Sequence, residues 1–190
     1  MPEPKIVVVP VTPGRWKDLV QLFGPRGACA GCWCMYFRQS RAEFERRRGA
    51  SNRRALHRLV AGGRIPGLLA YLDGVPAGWV ALAPRAEYSL LARSRILKPV
   101  DDMPVWSVVC FFIARAARGR GLTVALLRKA AALARRRGAR CLEGYPLDVP
   151  PGKVPDTFAY YGLASAFREA GFHEVARRSA TRPIMRLELR

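Results

Sequence analysis

Between the apolar run Phe111-Phe112-Ile113 and an alternating apolar and basic stretch starting at Leu122 lies Arg118-Gly119-Arg120-Gly121. Glycine at such positions admits positive φ and leaves backbone N–H groups uncovered, so successive amides can converge on one anion. A helix opening at Leu122 adds its own unpaired N–H groups and the positive end of its dipole. The chemistry this turn suits is the holding of a pyrophosphate, although a solvated connection or a nucleic-acid contact would use the same residue types. A dinucleotide fold needs three spaced glycines after the first strand, and a P-loop needs Gly-Lys-Ser/Thr; the turn has neither. Two other groups stand out. Glu143 is a carboxylate inside the apolar run Cys-Leu-Glu-Gly-Tyr. Cys29, Cys32 and Cys34 are spaced C-x-x-C-x-C around Trp33, a metal-like pattern. A structural zinc needs four ligands, however, and only His57 offers itself as a fourth, so no metal is expected.

The elements that must position these groups alternate. Lys5 to Val11 reads as a strand, and Gly14 to Phe23 has helical spacing through Trp16, Leu19, Val20 and Phe23. A polar, arginine-studded helix is predicted from about Arg41 to Ala61, stopped by Gly62 and Gly63. The stretch Gly67 to Leu82 is two apolar runs joined by Asp73-Gly74, a strong hairpin signal. Residues Pro84 to Met103 read as an irregular excursion. Then come a strand (Val105 to Ile113), the glycine turn, a helix (Leu122 to Arg137) and a strand (Arg140 to Leu147). A Pro/Gly linker (Pro150 to Pro155), a helix (about Phe158 to Ala170) and two closing strands, around Val175 and from Ile184 to Leu189, complete the order. On the glycine-turn helix Leu122, Leu126, Ala130 and Leu133 share one face, and Arg128, Arg135 and Arg136 point away. This alternation predicts an α/β (α+β) layer around one central sheet.

Composition narrows the classes. The 190 residues suit one domain, spanning 1–190, and half the residues are hydrophobic, which excludes a disordered basic tail. The net charge is +19; of the 33 basic residues five are lysine, so the arginines dominate and are spread from Arg15 to Arg190. Dispersed arginine fits a solvated surface, and its field also draws polyanions. The apolar start, Ile6 to Val11, is short and proline-interrupted, unlike a signal h-region, and no run approaches a membrane span, so a cytoplasmic protein that does not enter the membrane is expected. Five cysteines, two of them (Cys110 and Cys141) in strand-like runs, fit reduced thiols.

From about residue 66 to 189 the chain resembles the GCN5-related N-acetyltransferase (GNAT) family. The family signature, Gln/Arg-x-x-Gly-x-Gly/Ala between a strand and a helix, falls on Arg118-Gly119-Arg120-Gly121-Leu122-Thr123, with Thr123 departing from it. Phe111-Phe112-Ile113 resembles the strand whose backbone pairs with the pantetheine arm of acetyl-CoA, and Gly171-Phe172 the closing Gly-Phe element. The resemblance implies a central mixed, mostly antiparallel sheet with helices on both faces. Helices within about 14–63 would lie on the acceptor side, and about 66–189 would form the acetyl-CoA-binding core. It also implies acetyl-CoA as co-substrate, bound by residues 111–113 and 118–123, and an amine acceptor on a small molecule or a protein. A homodimer, frequent among relatives, is left open.

Acetyl transfer from acetyl-CoA to an amine in a ternary complex has three needs: a polarised thioester carbonyl, removal of the amine's proton, and protonation of the CoA thiolate. The resemblance implies that the thiolate's acid is a tyrosine four residues before Gly171, where this chain has Phe167. Tyr160 and Tyr161 are the replacements at hand, and Glu143 is the candidate base, if burial raises its pKa. The region between the first two helices, in relatives a lining of the acceptor pocket, carries Trp33, Met35, Tyr36 and Phe37 as candidates for an apolar part of the acceptor. Two alternatives stand beside this one: a basic module contacting RNA or DNA backbones, less favoured because an aromatic-rich RNA motif is absent, and a CoA-binding relative without transfer activity.

Overall fold

The computed structural model describes residues 4–150 and 159–190. Seven strands form one sheet in the order β1-β2-β3-β4-β5-β7-β6, where β1 is Ile6–Pro10, β2 Gly67–Leu72, β3 Val75–Pro84, β4 Trp106–Ile113, β5 Cys141–Gly144, β6 His173–Arg177 and β7 Pro183–Glu188. Every neighbouring pair is antiparallel except β4 with β5. The β2–β3 hairpin turns on Asp73 (φ 50°) and Gly74 (φ 83°), the paired positive angles that a two-residue turn matching strand twist requires.

Among the described residues there are six helices: α1 (Trp16–Phe23), α3 (Ala50–Ala61) and α4 (Ser89–Ala92) belong with one core, α5 (Leu122–Arg136) and α6 (Ala164–Glu169) with the other, and α2 (Arg41–Arg47) meets the first through Phe44 against Tyr36. The period of two in the central strands separates these cores. Leu69, Trp79, Ala81 and Val109 enter the first, while Leu68, Ala70, Val80, Leu82 and Val108 enter the second. On α5, Leu126, Leu127, Ala130 and Ala134 are fully buried while Arg128, Arg135 and Arg136 are exposed, so the amphipathic reading of that helix holds. Burying a leucine side chain contributes about 1.5–3 kcal/mol, enough for this stripe to fix α5 on the sheet.

Three element boundaries differ from the sequence expectation, each for a local reason. The helix expected over 41–61 breaks at Arg48-Gly49. Gly49 takes φ 79°, and its N–H donates to the Gly31 carbonyl at 2.9 Å, so the break ties two helices to the preceding loop. Ser40 caps α2 by accepting from the Glu43 N–H. The expected strand to Leu147 ends at Gly144, and Leu147 instead forms an isolated parallel bridge with Leu163. The helix expected from about Phe158 begins outside the described residues; its described part is a 3-10 turn over Ala159–Tyr161 and then α6, parted by Gly162 at φ 76°.

Candidate active site: a splayed strand pair beside a glycine turn

β4 and β5 run parallel, yet their ladder covers only Trp106–Val108 against Leu142–Gly144. Beyond Val108 the strands part. β4 stays hydrogen-bonded to β3 through Ile113, so the edge of Val109–Ile113 that faced β5 has no ladder partner among the described residues. The Leu147–Leu163 bridge, with Leu147 N–H donating to Gly162 O and Ala164 N–H to Leu147 O (2.9 and 2.8 Å), closes the far side of the gap. Gly162 is required there, since a Cβ would lie 3.0 Å from Phe111 and 3.1 Å from Phe167.

The opening leads to the glycine turn. Gly119 and Gly121 adopt φ 73° and 76°, and a Cβ at either would meet nothing within 4 Å, so glycine is needed for its backbone angle rather than for space. Gly121 is the N-cap of α5 with no side chain capping it, which leaves the first helical N–H groups directed at the turn. The resulting groove, about 760 Å³, is lined by Phe111, Phe112 and Ile113 on one side and by Arg118, Gly119, Gly121, Leu122 and Thr123 on the other. Of the nine residues expected to bind acetyl-CoA, Arg120 alone is absent from this wall, and it is exposed. Thr123 fits without crowding, being half-buried in the lining.

A second cavity, about 200 Å³, opens from the same place, sharing Ala28, Cys29, Phe111, Phe112 and Tyr160 with the groove. Tyr36 and Phe37 line it, as expected for acceptor-side residues, and Phe44 of α2 joins them. Trp33 and Met35 do not. Trp33 is buried between Trp16 and Phe23 (ring centroids 6.0 and 5.5 Å), and Met35 is 7% exposed in the core, so the expectation for these two is corrected. Packing pins Trp33 in place, because a Cβ on Gly27 would sit 2.1 Å from its Nε1. The loop that forms this wall holds Ala28, Ala30, Trp33 and Cys34 at positive φ, a costly cluster of a kind that gathers at functional sites.

The sulfurs belong to that wall. Cys29, Cys32, Cys34 and Cys110 all line the second cavity. Trp79 Nε1 donates to Cys34 Sγ at 3.1 Å, and Cys34 Sγ donates to Cys110 Sγ at 3.5 Å. The hydrogen bond to Cys110, together with burial, pushes the Cys34 thiol well up; Cys32 is raised by its bond to Cys34 and by burial. These thiols are uncharged at neutral pH. Among the described residues no group of three or more His, Cys, Asp or Glu is arranged to hold a metal ion, and His57 lies exposed against Trp16 instead.

Glu143 requires the second correction. It is 1% exposed and lines neither cavity. Arg85 Nη1 (3.0 Å) and the Tyr145 hydroxyl (2.7 Å) donate to Oε1, and Arg186 Nε (2.8 Å) donates to Oε2. A carboxylate with both oxygens held by guanidinium and phenol donors, and opening onto neither cavity, is a buried counter-ion rather than a group facing an incoming amine. Tyr145, buried between Glu143 and Ser107, is raised by burial and by the Glu143 charge.

The tyrosines divide. Tyr160 lines both cavities, and burial with a hydrogen bond to Tyr161 raises its hydroxyl well above the usual phenol range, so it stays protonated. Tyr161 lines neither; its ring lies 4.0 Å from that of Tyr160, and Arg182 stacks over it at 3.6 Å. Phe167, in the position where the resemblance implied an acid, is fully buried edge-on to Phe111 and Phe172. Lining residues that the sequence reading missed include Arg26 and Cys29 on the loop and Leu163 and Ala166 at α6. Only the folded path around Gly162 brings those last two to the groove.

No curated protein matches the chain. Among solved structures it resembles an acetyltransferase of the GNAT family from Desulfovibrio desulfuricans (17% identity, TM-score 0.55, 98% of this chain and 100% of that one). It also resembles the PaiA N-acetyltransferase from Thermoplasma acidophilum, solved with coenzyme A (14%, 0.51, 97% and 99%), and an agmatine N-acetyltransferase (14%, 0.55, 97% and 99%). At these identities the likeness is one of fold. The Acetyltransferase (GNAT) family model matches residues 29–145, most of the chain and with it the splayed strand and the glycine turn, and the chain belongs to that family.

Proposed function

We propose that the protein is an N-acetyltransferase that moves an acetyl group from acetyl-CoA to a primary amine by direct attack in a ternary complex. The observation that carries this reading is the coincidence of three features at one end of the sheet: the unpaired edge of Val109–Ile113, the glycine turn, and a second cavity meeting the first at Phe111–Phe112. Residues 119–123 offer backbone N–H groups to a pyrophosphate, with Arg118 and Arg120 adding charge. The free strand edge offers the amide donors and acceptors that an extended pantetheine arm can pair with, as in strand addition. The coenzyme A bound to the Thermoplasma relative supports this choice of donor.

In the reaction the amine nitrogen forms a bond to the thioester carbon, a strand N–H stabilises the oxyanion, and the C–S bond breaks to release CoA. Tyr160, protonated and placed where the cavities meet, supplies a proton to the departing sulfur. Neither cavity is lined by a carboxylate or an imidazole among the described residues. The acceptor therefore reaches the pocket as a neutral amine, having lost its proton to solvent. A panel of amines assayed by release of the CoA thiol tests the reading, alongside thermal stabilisation by acetyl-CoA and by a nucleic-acid oligomer at physiological salt. Release with any amine supports transfer. Stabilisation by acetyl-CoA without release would identify a CoA-binding protein, and stabilisation by the oligomer alone would identify a basic nucleic-acid module.

A further inference from the structure

The second cavity says more about the acceptor than that it is an amine. Its walls carry the side chains of four cysteines and the rings of Tyr36, Phe37, Phe44 and Phe112, and among the described residues its one charged lining residue is Arg48. Arg48 is half-exposed and ion-paired to Glu45; Arg26 stands on the adjoining groove. A second positive charge on the acceptor would find no lining carboxylate here among the described residues, and it would lie near guanidinium groups in a site where burial makes such an uncompensated charge costly. An apolar cavity of about 150 Å³ already holds a benzene ring, so at about 200 Å³ this one has room for one ring or branched aliphatic group. With no carboxylate or imidazole on either wall among the described residues, the fraction of acceptor that is already neutral enters the rate directly. An α-amine beside a carbonyl, with a pKa of about 8, is neutral roughly a hundredfold more often at pH 7.5 than a lysine-type amine with a pKa near 10.4.

On the acetyl-transfer reading above, we infer that the acceptor is a weakly basic primary amine on an apolar body with no second positive charge, typified by the α-amine of an aminoacyl group with an aromatic or branched side chain. The apolar body occupies the thiol- and ring-lined cavity, and the amine points back toward Phe111–Phe112. Every atom of the reaction is accounted for by acetyl-CoA and this amine: the N–C bond forms, the C–S bond breaks, and one proton passes from nitrogen through solvent and Tyr160 to sulfur.

The test uses phenylalaninamide, glycinamide and putrescine as acceptors with saturating acetyl-CoA, read as CoA thiol release, and acetyl-CoA stabilisation measured separately. We expect kcat/KM for phenylalaninamide to exceed that for glycinamide by at least about tenfold, the worth of one buried apolar side chain, and putrescine to be the poorest of the three. Phe44→Ala should erase most of the phenylalaninamide advantage while leaving KM for acetyl-CoA unchanged; Tyr36→Ala gives the same reading should the first variant fold poorly. Equal or better use of glycinamide or putrescine overturns the inference and leaves acetyl transfer standing. A protein that binds acetyl-CoA but acetylates none of the three also overturns the inference, and the wider amine panel then separates transfer to another amine from CoA binding alone. Failure to bind acetyl-CoA at all would instead remove the donor reading, and this inference with it.

Discussion

A single hydroxyl separates the two cavities from an otherwise apolar junction, which makes Tyr160 the residue whose loss is most informative. Tyr160→Phe should lower kcat by about a hundredfold, the scale of general-acid assistance, with acetyl-CoA affinity unchanged because the backbone groups of the turn are untouched; a change smaller than about twofold would mean that the thiolate leaves unaided. Glu143 separates the roles of base and counter-ion. Glu143→Gln leaves Arg85 and Arg186 without their shared buried charge, and breaking such a pair from one side costs about 3–5 kcal/mol. We therefore expect a marked fall in melting temperature with kcat of the folded fraction little altered, whereas a catalytic base would show the reverse. The pH response follows from the same chemistry. Asp101, held low by its hydrogen bonds from Arg186, and Asp148, held low by Arg177 and Arg168, are depressed in the folded state. Their contribution is therefore complete above the ordinary carboxylate pKa of about 3.9 and is lost as pH falls through the depressed values. Melting temperature should stay flat on this account from pH 5 to 8 and drop below about pH 4. Activity should behave differently: kcat/KM should climb with pH until the acceptor's own pKa is reached, since neither cavity wall carries a carboxylate or an imidazole among the described residues. A plateau set by the enzyme near pH 6 or 7, the same for every acceptor, would contradict this.

At the level of elements, the strand, glycine turn and helix of the second half were legible and the loop between the first helices only partly so. Period-two burial, the Asp73-Gly74 turn and the leucine stripe of α5 are local signals, and each governs a local outcome. The glycine turn could be assigned because both its glycines are needed for backbone angle, a property written in the residue type itself. The break at Gly49 was not visible, because in the sequence it is one glycine in a polar helix-forming stretch; what decides it is a hydrogen bond to Gly31, eighteen residues away. That Tyr36 and Phe37 reach the cavity wall while Trp33 and Met35 do not likewise depends on left-handed turns in the loop that composition does not announce. Glu143 misled for a related reason: a lone acid in an apolar strand looks unpaired until Arg85 and Arg186 arrive from distant positions. The junction at Gly49 yields an element-scale prediction. A Cβ there meets nothing within 4 Å, so Gly49→Ala should cost only the strain of a positive φ, about 1–2 kcal/mol. Because α2 carries Phe44 into the acceptor cavity, KM for the amine should rise while KM for acetyl-CoA does not.

Over the whole molecule the charge of +19 would act on the two proposed substrates in opposite directions. Acetyl-CoA carries several negative charges and approaches a groove flanked by Arg26 and Arg118, so its capture is assisted by the field; an amine acceptor approaches as a cation and is repelled until it sheds its proton. Salt screens both effects, the Debye length falling from about 10 Å at 0.1 M to about 3 Å at 1 M. Raising salt should therefore increase KM for acetyl-CoA, leave kcat nearly constant, and lower KM for a cationic acceptor, so that the two Michaelis constants move apart. A nucleic-acid module with the same net charge predicts a different pattern. Each phosphate it neutralises releases counterions, and affinity for an oligomer falls as nearly the first power of salt per contact. The arginines here are spread around the surface, and several are already committed to carboxylates or carbonyl oxygens, Arg85, Arg177, Arg178 and Arg186 among them. On the acetyl-CoA reading, binding of a short duplex, if measured at 50 mM salt, should vanish by about 150 mM while acetyl-CoA still protects the fold. Persistence of the duplex at that salt, with a steep slope, would mean that the arginine surface and not the splayed strand is what the protein uses.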